Sequence, residues 1–331
     1  MSITMEELAK LANVSQGAVS LVLNGKAKGQ ISQKKQDLIL SLAKKHNYRM
    51  NMAAKVLRKQ KQYAIGVIMP ATFNIFYASL ISLLQQKFSQ HGYMTFFSFF
   101  LPDNFEEVYD SLYSRQVDGI ISCQESTLLQ QEDIPTVVFC NDINERMIPS
   151  KPKKHLAYCG FEFNNAYNEL FEHLYLLGHR KIGFLGNTKE SRCVLLEKFL
   201  RNKNISNSQR LFFHCKDEFA GNNTLLKDIL SLPDGPTAII TTNDETARQL
   251  ISIGTFLGKK FPQDLSVVGF MNLPCAQSMY PALSTFDSCN EELTNNMVRM
   301  LLSMIERPEL DVEDVFIQPK LILRDSCCKV N

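Results

Sequence analysis

The chain has 331 residues, 45% apolar and 21% charged, with a formal net charge of +2. That is long for one domain and suits a small module joined to one or two α/β lobes, in a soluble globular protein. No run reaches the roughly 18–20 apolar residues a membrane helix needs, and Lys10, Asn13 and Gln16 interrupt any signal-peptide core in residues 1–25. The nine scattered cysteines, without a CxxC and with Cys327-Cys328 as the only close pair, read as free, mostly buried thiols of the reducing cytoplasm.

Chain order begins with Thr4, a candidate N-cap ahead of Glu6 and Glu7, and with Leu8, Leu11 and Ala12 on one face of a helix over 5–12. After the tight Asn13-Val14 turn, Ser15 caps a second helix that runs to about residue 24. Val19, Val22 and Leu23 share a face of that helix. Two short helices joined in this way form either a plain helical hairpin or a helix-turn-helix, whose second helix lies in the DNA major groove. A third helix is predicted over 33–46 behind a Ser32 cap. It would bury Leu38, Ile39, Leu42 and Ala43 and expose Lys34, Lys35, Lys44 and Lys45, with Tyr48 closing the small core.

Charge favours the DNA-binding alternative. Residues 1–62 hold twelve Lys/Arg against three carboxylates, a net +9, and the other 269 residues hold 24 against 31, a net −7. A basic module on an acidic body is the electrostatic footprint of a phosphate-backbone binder.

Residues 53–58, AAKVLR, form a helical segment too short to be stable in isolation. The body then alternates. Strands are predicted at 64–69, 93–99, 119–123 and 136–140, with helices at 76–91 and 105–115. The rhythm recurs with helices at 166–177, 193–203, 224–232 and 245–257 and strands at 181–185, 211–214, 238–242 and 266–270. A helix at 290–305 and a strand at 321–324 close the chain. This pattern predicts two doubly wound parallel-sheet lobes, with a ligand cleft between them at the strand C-terminal ends.

TMEELAKLANVSQGAVSLVLNGK, HNYRMNMAAKVLR and YAIGVIMP resemble the start of a lactose-repressor-type (LacI/GalR) transcription factor. The resemblance continues in order through VDGIISC, LLGHRKIGFLG, PTAIITTND, DLSVVGF, PALSTFD and LILRDS. The GKAKGQIS loop and HNYRMNMAAKVLR are similar to the fructose-repressor branch. The resemblance implies a small all-α helix-turn-helix headpiece plus an α/β body of two doubly wound parallel-sheet lobes, periplasmic-binding-protein-like. Expected boundaries are headpiece 1–49, hinge 50–62 and effector and dimerisation core 63–331. The lobes would comprise about 63–160 plus 290–320, and about 161–289 plus 321–326.

On the same resemblance, Thr4, Ser15, Gln16, Gly17, Ser20, Asn24, Lys28, Gln30, Tyr48, Asn51, Ala54, Lys55, Leu57 and Arg58 form the DNA-binding set. Gln16 can pair bidentately with adenine, whereas Gly17 has no side chain to read with. Leu21 stands where relatives carry an Arg, and either packs or touches a thymine methyl. Leu57 is the expected minor-groove wedge of a hinge helix that orders when two subunits meet on operator DNA. The implied effector set is Phe73, Asn74, Cys140, Arg192, Phe219, Asn243 and Met271. Cys140 and Met271 replace two customary carboxylates, which leaves Arg192 unopposed and favours an anionic, sugar-phosphate-like effector.

The alternative is a soluble ligand-binding protein or an enzyme on a doubly wound fold. No GxGxxG follows a strand, and no GxxxxGK[ST], GxSxG or HExxH occurs, so the reading is not an enzyme and has no metal or cofactor. The expected partners are double-stranded operator DNA, a second copy of the chain as a homodimer, and a small-molecule effector, with no membrane.

Overall fold

The computed structural model describes residues 3–23, 27–48, 61–71, 75–131, 133–145, 154–205, 211–215 and 223–330. The chain divides into two compact units, Met1–Gln62 and Tyr63–Asn331.

In the first unit, α1 (Met5–Ala12) opens on a capping box. The Thr4 hydroxyl accepts the Glu7 N–H at 3.2 Å, and the Thr4 N–H donates to Glu7 Oε2 at 2.7 Å. Asn13, left-handed at φ 51°, ends the helix. Ser15 Oγ accepts the Ala18 N–H at 3.2 Å and starts α2 (Gln16–Leu23). The third helix is α3 (Gln33–Lys45). Leu8, Ala9, Ala12, Val19, Val22, Ala27, Ile39 and Ala43 make the core, and Leu21, Leu42 and Tyr48 pack on it.

Two expected core leucines lie outside it: Leu11 is 52% and Leu38 44% exposed. In α1 the buried arc runs from Leu8 through Ala12 to Ala9, which turns Leu11 off its other side. Ser32 precedes α3, but its side chain makes no capping bond. Gln36 Nε2 instead ties the preceding loop by donating to the Ile31 carbonyl at 2.7 Å.

The second unit begins with β1 (Ala64–Pro70), α4 (Ile75–Gln90), β2 (Met94–Phe100) and α5 (Phe105–Ser114). It continues through β3 (Gly119–Ser122), α6 (Thr127–Gln131), β4 (Thr136–Cys140) and β5 (Leu156–Phe161). Next come α7 (Asn164–Leu176), β6 (Ile182–Gly186), α8 (Ser191–Asn202) and β7 (Phe212–His214). Then follow α9 (Asn223–Ser231), β8 (Ala238–Thr241), α10 (Asp244–Phe256), β9 (Ser266–Val268) and α11 (Pro274–Ser278). The chain closes with β10 (Thr285–Asp287), α12 (Asn290–Glu306), β11 (Val315–Ile317) and β12 (Lys320–Ile322).

Six parallel strands in the order β11-β5-β4-β3-β1-β2 make the larger sheet, and four in the order β7-β6-β8-β9 make the smaller. The chain leaves the larger sheet after Phe161, returns to its side with α12, and leaves again between β11 and β12. The helix α12 packs on α4, β3, β4, β5 and β11 through Met297, Met300, Leu301 and Met304.

The sequence reading lacked β5, β10, β11, α6 and α11. Every residue of β5 is buried, yet Tyr158 and Gly160 break its apolar run. Its Ala157, Cys159 and Phe161 face one core and Leu156 and Tyr158 another, as in a strand covered on both sides. The last strand is Lys320–Ile322 and pairs antiparallel with β10.

β4 and β5 approach closely at Gly160, where an added Cβ would stand 1.8 Å from the Cys140 carbonyl oxygen. Backbone in the middle of a sheet cannot yield cheaply. Gly160→Ala is therefore expected to lose stability by about 1–3 kcal/mol or more, measured as a fall in the chemical-denaturation midpoint. An unchanged midpoint would contradict this packing.

Candidate nucleic-acid interface and effector site

On the first unit, Gln16 and Gly17 are exposed at the start of α2, and Lys28 and Gln30 are exposed after Ala27. Lys34, Lys35, Lys44 and Lys45 are exposed on α3. Ser15 and Thr4 are exposed, but each side chain accepts a helix N-terminal N–H, so their first task is capping. Ser20 is half-buried, and Leu21 packs on the small core, which favours packing over base contact. Tyr48 is half-buried on the same core, and burial raises its phenol. At Gly17 an added Cβ would meet only Ser15 Oγ at 3.7 Å, so no packing requirement imposes a glycine there. Asn24, Asn51, Ala54, Lys55, Leu57 and Arg58 lie outside the described residues.

In the second unit, Arg192 occupies the first turn of α8 and is 5% exposed. One terminal nitrogen donates to the Thr242 carbonyl at 3.0 Å and the other to Thr242 Oγ1 at 3.2 Å. The guanidinium carbon lies 4.8 Å from the Phe270 ring centroid and 5.7 Å from that of Phe163. Glu190 Oε1 is 2.7 Å from Arg192 Nη2. The expectation of an unopposed Arg192 is thereby corrected, because its counter-charge comes from two residues upstream. Burial disfavours the charge, and Glu190 and Tyr167 outweigh it, so the guanidinium is held above its ordinary pKa.

Among the described residues, Arg192 Nε and the Tyr167 hydroxyl are buried without a hydrogen-bond partner. Burial pushes the Tyr167 phenol up to about 12 and keeps it neutral. Tyr167 stacks on Phe286 with centroids 4.5 Å apart.

The predicted effector residues divide by position. Asn243 is 4% exposed, and its Oδ1 accepts the Thr246 N–H at 2.8 Å as the N-cap of α10. Half-buried Met271 sits at φ 103°, a conformation costly for a residue with a Cβ. Arg192 thus joins the residue before Asn243, and Phe270 before Met271 covers it, at the C-terminal ends of β6, β8 and β9. Cys140 is not part of that group. Its Sγ donates to the Asp142 carbonyl at 2.8 Å, and it packs with Tyr109, Leu112 and Tyr158. Phe73, Asn74 and Phe219 lie outside the described residues.

Sequence reasoning missed Glu190, Tyr167, Thr242, Phe163 and Phe270; Thr242 and Phe270 lie inside the quoted stretches PTAIITTND and DLSVVGF, while Glu190, Tyr167 and Phe163 belong to none of them. It also missed Asp244, whose position after the Asn243 cap was the available signal. Asp244 is fully buried, accepting the Thr285 hydroxyl at 2.5 Å and the Leu273 N–H at 2.6 Å. It thereby ties the start of α10 to β10 and α11.

Residues 4–51 match a family model described as bacterial regulatory proteins, lacI family, and residues 171–327 match a periplasmic binding protein-like domain. The NTD biosynthesis operon regulator NtdR of Bacillus subtilis (strain 168) is 30% identical over 343 residues, covering 98% of this chain and 99% of that protein. The chain belongs to the lacI family of bacterial regulatory proteins. Catabolite control protein A of Staphylococcus xylosus, 25% identical, covers 98% of this chain and aligns over 99% of its own length. The solved lac repressor dimer bound to operator and the anti-inducer ONPF shares the fold at a TM-score of 0.82 and 20% identity, over 99% of this chain and 100% of that one. This lacI-family chain is a transcriptional regulator and not an enzyme. Among the described residues, no helix is long and apolar enough to cross a membrane.

Burial raises the Asp244 carboxyl to about 6, from an ordinary 3.8. A raised folded-state pKa means that the folded protein binds the extra proton. This contribution to stability is fully present below about pH 4 and is lost as pH rises through about 6. In Asp244→Asn the amide can donate to Thr285 Oγ1 while its oxygen keeps the Leu273 N–H. That variant is expected to flatten the dependence of melting temperature on pH between 4 and 7. Parallel curves for the two proteins would remove Asp244 as the titrating group.

Proposed function

We propose that the protein is a cytoplasmic, homodimeric repressor that binds a pseudo-palindromic operator and answers to a small molecule in the cleft between its lobes. The observation that carries this reading is the exposure of Gln16 on a capped helix-turn-helix, and of Lys28 and Gln30 in the loop that follows it, in a segment of net charge +9. In this reading residues 1–49 are the headpiece, 50–62 the hinge and 63–331 the effector and dimerisation core. Gln16 reads a base edge, while Ser20, Lys28 and Gln30 meet phosphates or flanking positions. Asn24, Tyr48, Asn51, Ala54, Lys55 and Arg58 complete the backbone contacts, and Leu57 enters the minor groove. Arg192, Asn243 and Met271 take the effector, with Phe73, Asn74 and Phe219 around it. An effector that prefers one arrangement of the lobes biases ordering of the hinge, and so operator affinity.

Two kinds of contact separate in a gel-shift salt series. Log affinity is expected to fall linearly with log salt, and Lys28→Ala to flatten that slope by up to about one unit. Gln16→Ala should leave the slope intact while reducing discrimination at one base pair by about 1–3 kcal/mol. Leu57→Ala should weaken binding and DNA bending, also with an unchanged slope. Salt-independent binding, or full operator affinity in residues 63–331 alone, would refute the assignment.

A further inference from the structure

We infer that Glu190 is a specificity-determining residue of the cleft: paired with Arg192, it closes the site to anionic effectors and reserves it for uncharged ones. This rests on the reading of the Arg192 cleft as the effector site. The pair is built in, since the Arg192 and Glu190 side chains are 6% and 10% exposed with 2.7 Å between their charged atoms. Glu190 is also the residue at the N-terminus of α8. A helix start beside a guanidinium would otherwise attract an anion, and the Glu190 carboxylate already stands there.

An incoming phosphate or carboxylate has two routes, and both are costly. It can sit beside Glu190 and meet a like charge in a medium of low polarity. It can displace Glu190, which must then hold its charge without its partner. The other Arg192 contacts offer no further cation. Thr242 takes two donors, and Phe163 and Phe270 line the guanidinium. Cys140 and Met271 add no charge.

What remains is uncharged in character or already neutralised. The Tyr167 hydroxyl and Arg192 Nε, an N–H whose charge Glu190 balances, are buried beside each other and neither makes a hydrogen bond of good geometry. A donor N–H and a neutral hydroxyl beside aromatic rings fit a hydroxyl, carbonyl or ring nitrogen on an uncharged ligand.

The test uses the full chain and inorganic phosphate as the probe, read by thermal melting and calorimetry against chloride at equal ionic strength. Wild type is expected to show no saturable response to phosphate. Glu190→Gln should gain a saturable response, binding at least tenfold tighter than wild type. The double variant Glu190→Gln/Arg192→Gln should lose that gain. If Glu190→Gln does not melt cooperatively in chloride, phosphate should restore its transition. Saturable phosphate binding by wild type that Arg192→Gln abolishes would overturn the inference, as would a Glu190→Gln variant that phosphate neither binds nor rescues. Operator binding by wild type is measured alongside. Its absence defeats the regulator reading, whereas phosphate binding by an operator-binding protein defeats only the role of Glu190.

Discussion

Burying a guanidinium requires that its charge and its donors be answered inside the protein, and much of the local architecture around Arg192 meets that requirement. Glu190 supplies the charge from the N-terminus of α8, Thr242 supplies two acceptors from the end of β8, and Phe163 and Phe270 supply ring faces. Three segments far apart in sequence are therefore held to one side chain. Tyr167 couples this group to Phe286 of β10, and Asp244 ties β10 and α11 back to α10. The end of β8 and the starts of α8, α10 and α11 are thus fixed by buried polar contacts.

Aromatic rings carry the same region across to the larger sheet. Phe76 of α4 meets Phe139 of β4 at 5.3 Å, Phe139 meets Phe161 at 5.8 Å, and Phe161 stacks on Phe163 at 5.6 Å. Phe163 then reaches Phe270 at 5.8 Å and Tyr167 at 5.5 Å. All seven rings, with Phe286, are buried, within one apolar core that serves both sheets. Close-packed rings deform poorly, so this chain of contacts makes a stiff connection between the two sheets.

The doubly wound body was legible because parallel strands buried on both faces write continuous apolar runs, as AIGVIM and TVVFC do. The headpiece was legible through its caps, since Thr4 and Ser15 are local signals and act locally. The missed strand β5 carries a tyrosine and a glycine that only its neighbours explain: Tyr158 fills one core, and Gly160 lies against the Cys140 carbonyl. The candidate effector site was legible only in part. Arg192 and Asn243 were named through the lactose-repressor-type resemblance. Their partners were not, because the charge of Glu190 in a solvent-like TKES stretch gives no sign of burial. Charge bookkeeping by motif position removed two acids from the cleft, and the fold supplied another from the adjacent loop.

The headpiece shows a complementary economy. Its core holds eight side chains, four of them alanines, and α1 and α2 span barely two turns each. A core that small is marginal by itself. Within α2, Val19 and Val22 are committed to that core, Leu21 leans on it, and the Ala18 N–H is committed to the Ser15 cap. Gln16 is left as the exposed side chain of the first turn able to read a base edge, beside a glycine that packing does not demand. One strong reader per headpiece discriminates few base pairs. Under the operator-binding reading, affinity then comes chiefly from the phosphate contacts of the basic segment. Selectivity must draw on how readily the operator bends, because deformation energy varies with sequence at positions no side chain touches.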